Sequence, residues 1–321
     1  MECYMILVKV SGSARFCTVK RITNILTVVI LYRGRCGLSR GITRYMVAMA
    51  ISDLLVLIAH VLLREIYVYY STNSILSRSS VCPSYIYLRI ITLDYSVWLT
   101  VSFTFDRFVS ICCPKIRHWY CTDRVAAVVV VSLCAQIGLK YIPFHFMYEP
   151  RFTKGDVKWG CRPRTAYFTS IGWLIFQWMT VASLSLLPFA LMLILNGLTV
   201  RYIVAASRVR RHLKRGEGKD SETENRRKSI VLLFTVSGTS IVLWMTGTVT
   251  YICTRVTVNF VGVDLRSPSA VANEVGMLLI RVSSGANTTI YAMTQRKFRQ
   301  EVAKVFKGLT RIIKPTILTR K

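Results

Sequence analysis

The residues of this sequence best placed to do chemistry are charges set inside apolar runs. Asp53 sits in Met-Ala-Ile-Ser-Asp-Leu-Leu, and Arg89, Asp94, Asp106 and Arg107 share one long run that follows Cys82. Arg281 occupies another run near the end of the chain. A carboxylate surrounded by hydrocarbon is costly unless partnered, so function is the default reading of Asp53. Two guanidiniums, Arg89 and Arg281, would repel each other if one dry cavity held both, unless an anion or carboxylate joined them, and such an arrangement would point to an acidic ligand. Internal neutralisation by Asp94 or Glu65 stands beside that reading with equal weight. The four histidines (His60, His118, His145, His212) show no metal spacing, and no glycine-rich phosphate loop occurs. An enzyme therefore finds no support.

The elements that must hold these charges are helices crossing a bilayer. Of 321 residues 53% are hydrophobic, and the mean hydropathy of +0.43 is rare for a soluble domain of this length. The apolar runs fall at about 42–68, 83–113, 124–147, 168–204, 228–254 and 270–294, with a weaker one ending near Tyr32. Each matches a bilayer core roughly 30 Å thick, and the total is seven, with no secretory signal peptide ahead of them. The fold class expected is an all-α membrane protein, a seven-helix bundle.

The formal charge of +28 is informative through its placement. Arg33, Arg35, Arg40 and Arg44 lie between spans one and two, and Lys115, Arg117 and Arg124 between three and four. Arg208, Arg210, Arg211, Lys214, Arg215, Arg226, Arg227 and Lys228 lie between five and six, and the tail after Met293 is basic again. With seven spans these segments share one side, which the positive-inside rule makes cytoplasmic. The N-terminus is then extracellular in a multi-pass protein of the plasma membrane. The loop carrying Arg151, Lys154, Lys158, Arg162 and Arg164 departs from the rule, being basic yet outside. Nucleic acid is excluded as a partner because the basic residues interrupt spans and form no domain of their own. Membrane lipids are partners by construction. Of ten cysteines, Cys82 and Cys161 lie in the oxidising exterior.

Asp106-Arg107-Phe108 closes span three, and Cys82 lies 25 residues before Arg107, about seven turns or ~37 Å of helix. This segment resembles the third helix of rhodopsin-like (class A) G-protein coupled receptors. Other landmarks fall in step: Asn24 in Thr-Asn-Ile-Leu-Thr-Val, Asp53 in span two, Pro188 in span five and Trp244 in span six. Span seven ends Asn287-Thr288-Thr289-Ile290-Tyr291, like Asn-Pro-x-x-Tyr without its Pro. Phe298, Val302, Val305 and Phe306 then form an i, i+4, i+7, i+8 stripe that suits a helix lying on the inner leaflet. Within the class, Asn-Ile-Leu-Thr-Val-Val-Ile-Leu, Ser-Val-Trp-Leu-Thr-Val and the Leu-Leu-Pro and Ile-Leu-Asn of span five resemble the orphan group of probable G-protein coupled receptor 139 and its relative 142.

The resemblance implies roles residue by residue. Cys82 and Cys161 would form a disulfide. Arg107 would pair with Asp106 at rest and be freed to meet the G protein when span six swings out, with Trp244, Pro188, Asn287 and Tyr291 completing the switch. Asp53 would face Asn24, Ser96, Ser283, Ser284 and Asn287, a set of oxygen ligands that suits a sodium ion. A polar knot with no ion is the rival there, and no other cofactor is expected. The ligand pocket would hold Arg89, Arg281, Asp94 and Gly247, for a small molecule or peptide, with aromatic amino acids sensed by the relatives. The partner inside would be a heterotrimeric G protein.

Departures from the family pattern are specific. Thr246 stands where the span-six Pro is usual, so any kink must come from Gly247 or from Thr side chains. Ser240 replaces a Phe, Lys115 a hydrophobic docking residue for which Ile116 could substitute, and Arg226 an acid, which predicts raised basal signalling. These keep open a degenerate receptor that folds without signalling. A transporter or channel would need internal repeats or broken helices, and neither is seen. The domain organisation expected is an atypical segment over 1–21, a receptor domain over 22–294, and an amphipathic helix with a basic tail over 295–321. Arg15, Lys20 and Arg21 in the first segment would cost up to ~10 kcal/mol of insertion, which reads as a truncated or misassembled start.

Overall fold

A computed structural model describes residues 21–33, 38–63, 75–213, 221–257, 275–280, 282–283, 286, 290, 297–305 and 307. The apolar runs fold as helices, because hydrocarbon offers no partner to a backbone N–H or C=O and only intrahelical bonds satisfy them. Five helices among the described residues are long and apolar enough to cross a bilayer: Arg40–Leu62, Cys82–Cys112, Asp123–Phe146, Ile171–Ala206 and Ile230–Thr250. These are spans two to six, within a few residues of where the sequence puts them. The expected far end of span two, 64–68, lies outside the described residues. Arg21–Tyr32 is the described part of span one, and residues 275–280 belong to span seven. Residues 1–20 of the atypical first segment are not among those described.

Local chemistry sets the helix starts. The Ser39 and Thr122 hydroxyls accept from the amides of Ile42 and Val125, relieving two of the N–H groups that a helix start leaves unpaired. Pro83 and Pro114 stand in the first turns of their helices, where a missing N–H costs nothing. Span five carries a π-turn at Ala182–Leu186, just before Leu187 and Pro188. Proline clashes with the carbonyl four residues back, so a widened turn at this place relieves it. Span six runs as one α-helix, Ser221–Thr257, straight through Thr246 and Gly247. Thr250 Oγ1 donates to the carbonyls of Thr246 and Gly247.

Span three is the axis of the bundle. Toward the Asp106 end Leu99 and Phe103 pack with Ile30 and Leu31, with Tyr45, Met46 and Met49, and with Leu232 and Val236. Ile290 and Phe298 close the same core, and Val302 and Val305 lie against it from the helix at 297–305. Higher up, Val97 and Val101 meet Phe189, Met192, Trp244 and Ile280. Span four turns Val128, Val131 and Leu139 outward, as a lipid-facing helix must. Outside, β1 (Tyr148–Glu149) pairs with β4 (Arg162–Pro163) and β2 (Phe152–Lys154) with β3 (Val157–Trp159), all antiparallel. The two-residue loop of the second pair holds Gly155 at φ +61°, open to glycine without strain. Cys161 ties this hairpin to the top of span three through the expected disulfide with Cys82.

Candidate functional site

At the inner end of span three, Asp106 and Arg107 are both buried and bonded to each other. Arg107 Nε donates to Asp106 Oδ2 at 3.1 Å, Nη2 reaches the same oxygen, and the guanidinium lies 5.9 Å from the Phe103 ring centroid. The Cys121 thiol donates to the Asp106 carbonyl at 3.5 Å. Burial first, and then the nearby Asp106 charge, push that thiol up to about 11. Between them the short helix Pro114–Tyr120 exposes Lys115 and leaves Ile116 and Trp119 40% and 59% exposed. Those two lie three residues apart, on one helix face. Trp119 is a residue the sequence reading passed over, although an aromatic beside basic residues in a short loop was its signal.

Midway up the bundle, Asp53 is fully buried and accepts from Ser96 Oγ at 3.1 Å. The two belong to a cleft of about 270 Å³ also lined by Val97, Thr100, Phe189, Met192, Ser240, Trp244 and Ser283. One carboxylate among four hydroxyls is a donor set that fits a hard monovalent cation or water. Asn24 is buried as well. Trp244 forms the cleft's wall and meets Phe189 edge-on, ring centroids 6.3 Å apart. Ser240, with no bulk to plug the space, lines the cleft.

Nearer the outside, Arg89 lies over the Tyr85 ring at 5.6 Å, and its carbonyl accepts from His60 Nε2 at 2.8 Å. Its Nε is buried with no hydrogen-bond partner among the described residues. Asp94 does not neutralise it. The Asp94 carboxylate is fully buried and bonded to Lys140 Nζ of span four, so it stands in an interhelical pair and not on the pocket wall. Lys140 Nζ also donates to Ser183 Oγ at 2.9 Å, and Trp98 Nε1 to the Ser183 carbonyl at 3.0 Å. The sequence reading missed Lys140. An acid in span three and a base in span four were its only signal.

Gly247 lies close against span seven. A Cβ there would meet Ile280 Cδ1 at 2.6 Å and the Gly276 carbonyl at 3.1 Å. Two glycines facing each other let the backbones approach closely, as small residues do between membrane helices. Pro188 follows the π-turn in span five. Arg281, Ser284, Asn287 and Tyr291, with Arg64 and Glu65, lie outside the described residues. A helical bundle with a disulfide-tied hairpin, a buried Asp-Arg pair at one end and a polar cleft above it is thus in place. The family model described as 7 transmembrane receptor (rhodopsin family) matches residues 23–291.

Proposed function

The chain belongs to the rhodopsin family of seven-transmembrane receptors, and we propose that it passes the binding of a small carboxylate-bearing extracellular ligand to a heterotrimeric G protein. A member of this family is a membrane signalling receptor and not an enzyme. The ligand class rests on one observation: Arg89 Nε is buried without a partner among the described residues while Asp94, the nearest carboxylate on its own helix, is held by Lys140. A buried guanidinium N–H lacking an acceptor is unfavourable, and a bound carboxylate supplies one in bidentate geometry. Arg281 is the second cation of this reading. The residues quoted above support a reading of the chain as similar to the orphan group of probable G-protein coupled receptor 139 and 142.

Signalling follows from release of Arg107. When span six moves, its guanidinium leaves Asp106 and meets the G protein, with Trp244, Asn287 and Tyr291 linking pocket to cytoplasm. Ile116 and Trp119 supply the apolar docking surface that Lys115 cannot. Asp53, Ser96 and Ser283, with Asn24 and Ser284, would hold a sodium ion that steadies the resting arrangement. The thermal midpoint of the solubilised chain should then rise in sodium chloride over choline chloride, and Asp53→Asn should abolish the difference. The receptor domain is taken as 22–294, with the N-terminus outside and the basic tail inside.

The ligand reading is tested by the thermal midpoint of the solubilised full chain with phenylalanine or tryptophan against phenethylamine or tryptamine. The acids should stabilise wild type, the amines should not, and Arg89→Gln should remove the effect of the acids. Equal stabilisation by acid and amine would sink the carboxylate reading.

A further inference from the structure

Span three carries a second charge pair that signalling through Arg107 leaves unused. Asp94 lies ~18 Å of helix above Asp106 and is fully buried. Its partner, Lys140, is the last residue of the helix Asp123–Lys140, and its side chain remains one third exposed. The ammonium sits 4.4 Å from the Tyr141 ring centroid and donates to Ser183 Oγ at 2.9 Å. Ser183 is inside the π-turn Ala182–Leu186, and its carbonyl accepts from Trp98 Nε1. Spans three, four and five therefore meet at one residue of the widened turn.

A π-turn carries one residue more than an α-turn, and backbone bonding alone does not fix which residues occupy it. Moving the turn by one position rotates every side chain below it. Side-chain bonds from neighbouring helices can fix the position, provided the donor is itself anchored. An ammonium has three donors, enough to bind Asp94 and Ser183 together while facing an aromatic ring. A neutral side chain at 140 could not keep Asp94 charged in hydrocarbon, and an acid could not donate.

We propose that Lys140 is a positioning residue for span five: anchored by Asp94, it fixes the π-turn at Ser183, and with it the face that Phe189 and Met192 turn toward Trp244. The proposal depends on neither the ligand class nor G-protein coupling. Hydrogen exchange of the solubilised full chain tests it, read over the backbone amides of 180–190 and compared with those of span two. Ser183→Ala removes the bond from Lys140 and also the hydroxyl's own donation to the Thr180 carbonyl at 3.2 Å, while the Ser183 carbonyl still accepts from Trp98. Exchange over 180–190 should quicken about tenfold, the effect of losing one hydrogen bond to a charged group, with span two unchanged. Ser183→Thr keeps the hydroxyl and should retain wild-type protection, whereas Asp94→Leu/Lys140→Met, which leaves no unpaired charge and keeps the Ser183–Thr180 bond, isolates the part of Lys140 and should still quicken exchange over 180–190. Wild-type protection in this double variant overturns the proposal. Unchanged protection in Ser183→Ala, or acceleration spread equally over span two, overturns the proposal. If the double variant does not reach the membrane, Asp94→Asn/Lys140→Met, which likewise leaves no charge and no donor at 140, takes its place.

Discussion

Asp106 bonds the residue next to it in the chain, whereas Asp94, about three turns earlier on the same span, bonds Lys140 on another helix. Both carboxylates are buried and both have a basic partner. The difference lies in what must move for each pair to open. Arg107 can leave Asp106 by changing its own rotamers near the cytoplasmic end, with every helix still in place. Separating Lys140 from Asp94 either displaces span four from span three or leaves a charge in hydrocarbon. A local pair suits a switch and a long-range pair suits a fastening, although the chemistry of the two is nearly the same.

The sharpest way to break this comparison is to remove one cation from each pair. Lys140→Met strands Asp94 and should cost about 3–5 kcal/mol, seen as a collapse of surface staining in intact cells. Asp94→Leu/Lys140→Met should restore most of it. Near-normal staining of Lys140→Met would mean that Asp94 is held by something other than Lys140.

At the inner pair the fold should tolerate change and the signal should not. Asp106→Asn weakens the hold on Arg107 and should raise agonist-independent G-protein activation several-fold at matched surface level. Arg107→Ala should bring it to the empty-vector value. Basal activity in the unaltered chain no higher than that control would remove the expectation drawn from Arg226, and equal activity in all three chains would leave the inner pair with no signalling role.

The smallest effect sharpens the local picture. Cys121 bonds the Asp106 carbonyl, and its thiol titrates near 11 because burial and then the Asp106 charge both disfavour the thiolate. Alkylation of Cys121 should therefore be slow at neutral pH and gain rate as pH rises toward 11. Asp106→Asn deletes the charge but not the burial, so the rate profile should move to lower pH by a fraction of the total shift. An unmoved profile would show that Asp106 does not reach the thiol electrostatically.

Much of the fold was legible because its signals are local. Apolar runs of the right length marked spans two to six within a few residues, and two cysteines on the outer side formed their disulfide. The Asp106–Arg107 contact was legible for the same reason, since adjacent residues need no tertiary knowledge to meet. The upper site was less so. Asp94 and Gly247 were read as pocket residues from helical position, yet Asp94 turns to Lys140 and Gly247 meets Gly276 and Ile280. The π-turn at Ala182–Leu186 left no trace that hydropathy could show, although Pro188 two residues later gave a hint of local strain.

By itself, then, the sequence determined an all-helical membrane bundle, its oxidised outer side and its charged inner end, because length, polarity and charge placement are properties of each segment alone. The tertiary structure decided which face of each helix looks inward. In water a polar face identifies the outside of a helix. In lipid both faces are apolar, so a span's own periodicity does not give its rotation. The partner of Asp94 and the neighbour of Gly247 were set only when the other helices packed together with span three.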